Sequence, residues 1–280
     1  MLTEQQIADF RRNGFLNLGE RVLTGAQLEA LRDALDRVMR GESAAQPDAN
    51  RNLLGDGSDQ VVVQIVNIWE AEPAFREHLF NEKIVQMVAQ LMGTDTVRVW
   101  HDQVQTKPAR NGGPSYWHQD HPYWPVIQPA DLVSAWVALE DATVENGCMS
   151  MVPGSHTWGP YHGGTIGTDE TTYGPAPEDK AFVPEGTSSE PVPVPVRAGS
   201  VVFHHCLTWH GAPPNRSERP RPAIAVHYMP GWTRYEPRGP GHLVERHITV
   251  GPGEILHGEH FPTVMENGRV LTAAAVAAPA

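Results

Sequence analysis

Apolar positions recur at helical spacing in the first hundred residues and at alternating spacing after that. Leu28, Leu31, Leu35, Val38 and Met39 form one stripe of a helix that opens at Thr24 and closes at Gly41. Thr3 with Gln6, and Thr24 with Gln27, fit the reciprocal capping pattern that satisfies orphan backbone donors. A third helical region runs from near Pro73 to Gly93, with Ile84, Val88, Leu91 and Met92 on one side. Residues 42–60, rich in Ala, Asp, Asn and Gly, read as a mobile loop. None of these elements clusters potential ligands, so they are assigned to packing.

From residue 97 the texture changes to short β-like runs broken by Pro and Gly: VRVWHDQVQTKP, SYWHQDH, DLVSAWVALED, CMSMVPGSH, PVPVRAGSVVFHH and RPAIAVHYMP. This pattern predicts a mainly β sandwich or jelly roll with the N-terminal helices packed against it. The expected organisation is one domain over residues 1–280. It comprises a helical buttress at 1–95, a β core at 96–262, a lid-like Gly/Pro/Thr/Glu-rich insertion near 157–195 and a tail at 263–280.

Composition narrows the partners. A net charge of −12 argues against nucleic acid. No apolar run approaches the ~18 residues that span a membrane, and the N-terminus resembles neither a signal nor a transit peptide. Two cysteines, Cys148 and Cys206, give no disulfide scaffold and suit a reducing, cytoplasmic setting. A small molecule is the expected partner, and the sequence does not set the oligomeric state. One region departs from the overall charge: residues 210–246 hold six Arg against Glu218, Glu236 and Glu245, a local excess suited to a small anion.

The stretch YWHQDHPYW, residues 116–124, carries the candidate chemistry. His118 and Asp120 lie two positions apart, so on an extended chain their side chains leave the same face. His210, just before Gly-Ala-Pro-Pro, offers a second imidazole from the edge of a strand. Two neutral nitrogens and one carboxylate form a facial set suited to non-haem Fe(II), whereas zinc more often takes His with Cys or three His. A rival set, HGEH at 257–260, sits in Gly-rich coil without an alternating pattern and reads as a solvated loop. Of His204 and His205, only one can face a cavity if the strand is extended. Arg221, eleven residues after His210, heads the strand RPAIAVHYMP and could pair bidentately with a carboxylate; Arg219, of the same parity, is the alternative anchor.

His118-Gln119-Asp120, His210 and Arg221, with GCMSMVPGSH and HGAPPNRSERPR, resemble the phytanoyl-CoA dioxygenase family of Fe(II)/2-oxoglutarate oxygenases over roughly residues 1–262. The resemblance implies a double-stranded β-helix holding Fe(II) on His118, Asp120 and His210. It also implies that Arg221 receives the 5-carboxylate of 2-oxoglutarate, with Trp136 lining the cosubstrate and Lys107 contacting it. Period-2 counting independently puts Val97, Val99, His101, Gln103, Gln105 and Lys107 on one strand face. That face predicts a wet cavity, with Gln103 and Gln105 as further cosubstrate contacts. Ala212 and Ala223 stand where some relatives carry a hydroxyl, which leaves the carboxylate to Arg221 with Lys107 or a Gln.

The implied reaction consumes O2 and 2-oxoglutarate, releases succinate and CO2, and hydroxylates an unactivated C–H bond of a small organic molecule. Desaturation, epimerisation or ring closure by the same iron chemistry is the alternative, and a non-catalytic jelly-roll binding protein is the remote one. Asp120 disfavours halogenation, because related halogenases place a small residue there. His121, Tyr123, Trp124 and Trp158 are the candidate substrate wall, and Trp117 and Trp209 are read as packing that orients the adjacent ligands.

Overall fold

The computed structural model describes residues 1–55, 57–163, 183–239, 241–276 and 279. Helices α1 (Glu4–Asn13) and α2 (Gly25–Arg40) open with the capping boxes expected at Thr3 and Thr24 and close on left-handed Gly14 and Gly41. Between them β1 (Phe15–Arg21) buries only Leu16 fully. Where the sequence predicts a loop over 42–60, the chain forms β2 (Ala49–Asn52), paired antiparallel with β3 (Val63–Val66). No side chain of β2 is fully buried, so its backbone ladder leaves no hydrophobic signal.

A short α3 (Ile68–Ala71) precedes the third helical region, which is divided into α4 (Pro73–Leu79) and α5 (Glu82–Met92). Pro73 takes the first turn of α4, where a missing N–H costs nothing. Asn81 restarts the helix, its side chain accepting from the Ile84 amide, and Gly93 ends it in the left-handed region.

The β part comprises β4 (Val97–Lys107), β5 (Ser115–His118), β6 (Ile127–Gln128), β7 (Val133–Ala138), β8 (Met149–Met151) and β9 (Val192–Val194). It continues with β10 (Ser200–His205), β11 (His210–Ala212), β12 (Arg221–Pro230), β13 (Arg234–Tyr235), β14 (Thr263–Glu266) and β15 (Arg269–Val270). The larger sheet runs β1-β10-β7-β12-β4-β14-β15, with β3 also on β4 and β2 beyond it. The smaller sheet runs β5-β11-β8-β9, and β13 pairs with β6. The predicted jelly roll is borne out. Residues 263–266, expected in a tail, extend the larger sheet beside β4. Of the expected lid, residues 164–182 lie outside the described residues.

Strict alternation gives the larger sheet two different faces. Ala135, Val137, Phe203, Ile224 and Val226 pack with Leu31, Phe75, Ile84 and Val88 of the helices. Their neighbours Trp136, Val202, Ala223 and Ala225 turn inward to meet Met149, Met151 and Val194 of the smaller sheet. The helices therefore seal one side, and the space between the sheets is left for chemistry.

Strand β4 departs from simple alternation. Opposite it, His227 pairs with His101 but Tyr228 pairs with Val99, so Trp100 is an extra residue. Such a bulge flips the side-chain parity. Val97, Val99 and Val104 join the helix-side core, whereas His101, Gln103 and Gln105 line the cavity. The single shared face expected for Val97 through Lys107 is corrected accordingly. Among the described residues, no helix is long and apolar enough to cross a membrane.

Candidate metal centre

Register builds the centre. In the smaller sheet His210 of β11 pairs directly with His118 of β5, and their rings lie 4.2 Å apart. Asp120 follows β5 and sends Oδ1 to 3.7 Å from Nε2 of both His118 and His210. Among the described residues these three form the one group whose ligand atoms all lie within 4.8 Å of one another.

Each imidazole is oriented by its own backbone. His118 Nδ1 donates to the Tyr116 carbonyl at 2.7 Å, and His210 Nδ1 donates to the Thr208 carbonyl at 2.9 Å. Both contacts leave Nε2 as the lone-pair nitrogen facing the centre, the tautomer a metal requires. Burial, reinforced by the neighbouring His118, pushes the His210 imidazole down to about 3. For Asp120 burial acts in the raising direction, but His210 and the hydrogen bond from His204 outweigh it and hold the carboxyl well below its usual range. Two imidazole Nε2 atoms and a carboxylate oxygen are thus presented together, which fits a divalent cation.

A buried pair of basic groups, the candidate anion site, lies beside them. Arg221 and Lys107 pair across β12 and β4, both fully buried. The Arg221 guanidinium sits 5.2 Å over the Trp136 ring, and its Nε has no hydrogen-bond partner. Burial pushes Arg221 down to about 10, so it stays charged at neutral pH. Lys107 Nζ donates to the Ala212 and Pro213 carbonyls at 3.1 and 2.6 Å. Burial and the adjacent Arg221 push its ammonium well below the usual lysine range. A buried guanidinium with an orphan donor is the environment a ligand carboxylate would satisfy. Arg219 is exposed and lies outside this pocket, which corrects the alternative anchor.

Two cavities meet at the centre. The inner one is lined by Trp136, Arg221, Met149, Ala225 and the three candidate ligands, and the outer one occupies about 720 Å³. Gln103, Gln105, Ser115, His118 and Asp120 line both. The outer wall includes Tyr116, Tyr123, Trp124, His101 and His242. Trp124 packs edge-on to the His101 ring at 5.5 Å. Burial pushes His101 down to about 3 and His242 to about 4, so these two imidazoles add polarity to the wall without adding charge. A larger, open hollow of about 960 Å³, bordered by Gln86, Thr94, Arg98 and Met265, contains none of the candidate residues.

Two expected wall residues lie elsewhere. His121 is buried, with Nε2 bonded to the Ile127 carbonyl at 3.0 Å, and lines neither cavity. Trp158 packs with Trp117, Val152 and Trp209. That cluster braces the backbone next to His118 and His210, as read for Trp117 and Trp209. The HGEH segment behaves as a loop: His257 and Glu259 are exposed, and His260 bonds Glu70 at 2.9 Å.

The family model described as phytanoyl-CoA dioxygenase (PhyH) matches residues 10–223. The chain belongs to the phytanoyl-CoA dioxygenase family. A Caenorhabditis briggsae phytanoyl-CoA dioxygenase domain-containing protein 1 homolog is 32% identical over 192 residues, 68% of this chain and 62% of that protein. The chain thus spans less than two thirds of that relative's length. An ectoine dioxygenase from Bordetella bronchiseptica is 26% identical over 240 residues, 81% of this chain and 75% of that one. Among solved structures, the non-heme alpha ketoglutarate dependent carbocyclase SnoK from nogalamycin biosynthesis is 30% identical with a TM-score of 0.77, covering 94% of this chain and 97% of that chain. The epimerase SnoN in complex with Fe3+, alpha ketoglutarate and nogalamycin RO is 27% identical with a TM-score of 0.75, covering 93% and 97%.

Within this phytanoyl-CoA dioxygenase domain, motif reading left His204 and His205 as alternatives and missed Ser134 and His227 behind Asp120. Its Oδ2 accepts from Ser134 Oγ at 3.1 Å and from His204 Nε2 at 3.0 Å, and His227 Nδ1 lies 4.0 Å away. Parity carries the signal for two of them. Ser134 is two positions before inward Trp136, and His227 is six after inward Arg221.

Proposed function

We propose that the chain is an Fe(II)/2-oxoglutarate-dependent oxygenase that hydroxylates an unactivated C–H bond of a small organic molecule, with succinate and CO2 as co-products. The observation that carries this reading is the juxtaposition of the His118–Asp120–His210 set with the buried, incompletely bonded Arg221. When bound, iron with 2-oxoglutarate and O2 supplies an oxidant able to take a hydrogen atom from such a bond. The chain supplies the geometry. His118 and His210 present Nε2, Asp120 presents Oδ1, and Arg221 receives the distal carboxylate over Trp136. Lys107 and Gln105 support that pocket. Tyr123 and Trp124 wall the outer cavity, whose volume of about 720 Å³ falls within the range of small-molecule sites.

A second reading uses the same site for ring closure or epimerisation. It is favoured by the likeness to the SnoK carbocyclase and the SnoN epimerase, each over more than nine tenths of both chains. One experiment separates the two. Candidate substrates are screened for succinate release after anaerobic Fe(II) loading, and the products are weighed. A product heavier by one oxygen atom supports hydroxylation. Loss of two hydrogens indicates ring closure or desaturation, and an unchanged mass with altered configuration indicates epimerisation. Failure of the loaded protein to convert 2-oxoglutarate to succinate with any substrate would overturn the oxygenase reading.

A further inference from the structure

A continuous hydrogen-bond chain leads from the mouth of the outer cavity to the back of Asp120. Arg51 Nε donates to Gln64 Oε1 at 3.0 Å, and Gln64 Nε2 donates to Gln103 Oε1 at 2.6 Å. Gln103 Nε2 lies 3.1 Å from His227 Nε2, and His227 Nδ1 lies 2.7 Å from Ser134 Oγ. Ser134 Oγ in turn donates to Asp120 Oδ2 at 3.1 Å. Arg51, Gln64 and Gln103 all line the outer cavity.

The chemistry of the two ends dictates the direction of every link. A guanidinium only donates, and an ionised carboxylate only accepts. With the single Ser134 hydrogen given to Asp120, the serine oxygen must accept from His227 Nδ1–H. An uncharged His227 then offers Nε2 as an acceptor, which requires the amide nitrogen of Gln103 beside it. The Gln103 oxygen is left to accept from Gln64, whose own oxygen meets Arg51. Reversing any amide would set two donors against each other. Complete burial, which drives the His227 imidazole well below its ordinary range, agrees with the uncharged form. Hydrogen bonds aligned in one direction polarise one another.

We infer that Gln103 and His227 are positioning residues, which fix the orientation of Asp120 by holding Ser134 as a donor to its outer oxygen. Gln103 then acts on the metal ligand and not through direct contact with 2-oxoglutarate. A ligand that bonds Gln64 or Gln103 from the outer cavity reaches Asp120 through this chain. The inference rests on the proposed function only in taking Asp120 as a metal ligand, and its test needs no turnover.

The test inverts the chain while keeping its shape. Glutamate at position 103 is ionised at pH 8, well above its ordinary pKa of ~4.3, and can only accept. In Gln103→Glu the His227 proton should move to Nε2, and the Ser134 hydrogen should turn to Nδ1 and abandon Asp120. Long-range proton–nitrogen spectra of the Zn(II)-loaded protein should find the His227 proton on Nδ1 in the wild type and on Nε2 in the variant. Fe(II) affinity, measured anaerobically without 2-oxoglutarate, should fall by about tenfold, the lower end of the effect of outer hydrogen-bond partners. Gln103→Met loses both amide bonds but leaves the polarity intact, so it should bind iron more tightly than Gln103→Glu. A merely structural role predicts the reverse order, and that order would overturn the inference. So would a wild-type His227 carrying its proton on Nε2, a measurement that stands even if Gln103→Glu does not fold. Absence of succinate production by the loaded wild-type protein, with the Fe(II) ranking preserved, would sink the oxygenase reading and leave this inference standing.

Discussion

Arg221 and Lys107 face each other across the β12–β4 ladder, fully buried, and among the described residues neither has a carboxylate within ion-pair distance. Two basic groups are seldom buried side by side without a counter-charge, because desolvation disfavours each and they repel one another. Lys107 is relieved by two carbonyls and a lowered pKa. Arg221 keeps its charge and an unpaired Nε. The pair therefore stores an electrostatic demand that a dicarboxylate can meet.

Arg221→Ala should raise the 2-oxoglutarate requirement by about 2–5 kcal/mol, roughly 30- to 4,000-fold, while Fe(II) binding stays near normal. Arg221→Lys should recover only part of the loss, since an ammonium lacks the planar fork. Exposed Arg219→Ala serves as the control and should be nearly silent. Titration of 2-oxoglutarate against the Fe(II)-loaded variants checks all three. A larger defect in Arg219→Ala would move the anchor.

Asp120→Ala should abolish oxygenase activity and weaken Fe(II) by more than ~100-fold, beyond the range reached by changes to outer partners. The variant leaves only two imidazoles at the centre and strands the donors of Ser134 and His204. Anaerobic Fe(II) titration is the check. Near-full retention of iron and activity would place the metal elsewhere, with the HGEH loop the first alternative.

The parts of this centre legible in the sequence were those set by period or by chemical type. His118 and Asp120 share a face by spacing, Arg221 heads an alternating strand, and the inward parity of His204 follows from period two. The β1 and β2 strands were hidden because edge strands such as ANRN bond through backbone and bury almost nothing. The helical run at 73–93 concealed a break because Asn81 caps α5 without interrupting the apolar pattern. Trp100 concealed the most, since a one-residue bulge has no sequence signature and flips every later side chain. His121 follows the ligand segment and Trp158 opens the long loop, yet local packing turns both away from the cavities.

His78, on α4 and apart from the metal centre, should make the fold acid-labile. Burial pushes its imidazole down to about 4, against an ordinary value of ~6.5. Between these values the unfolded chain binds the extra proton, so stability rises with pH there and falls as pH drops. The full shift corresponds to about 3 kcal/mol from this one side chain. Urea midpoints at about pH 7 and pH 4.5 should therefore differ less in His78→Leu than in the wild type. An identical acid loss in both proteins would assign the sensitivity to other groups.

Gly147 links backbone conformation to the buried Lys107 beside Arg221. It adopts φ +83° shortly before β8, and an added Cβ would lie 2.4 Å from the Pro213 carbonyl oxygen and 3.3 Å from Lys107 Cδ. That carbonyl takes the shorter of the two Lys107 hydrogen bonds. Gly147→Ala therefore carries the left-handed cost of ~1–2 kcal/mol together with a contact that must displace Pro213 or Lys107. Gly253 has φ +84° with nothing within 4 Å, so Gly253→Ala isolates the conformational part. The expected result is a lower melting temperature for Gly147→Ala than for Gly253→Ala, with 2-oxoglutarate binding weakened only in the former. Fe(II) affinity should change less than 2-oxoglutarate affinity, because neither displaced group is a candidate ligand. Equal melting temperatures and unchanged 2-oxoglutarate binding would mean that the turn yields freely, and that the Pro213 carbonyl does not hold Lys107 in place.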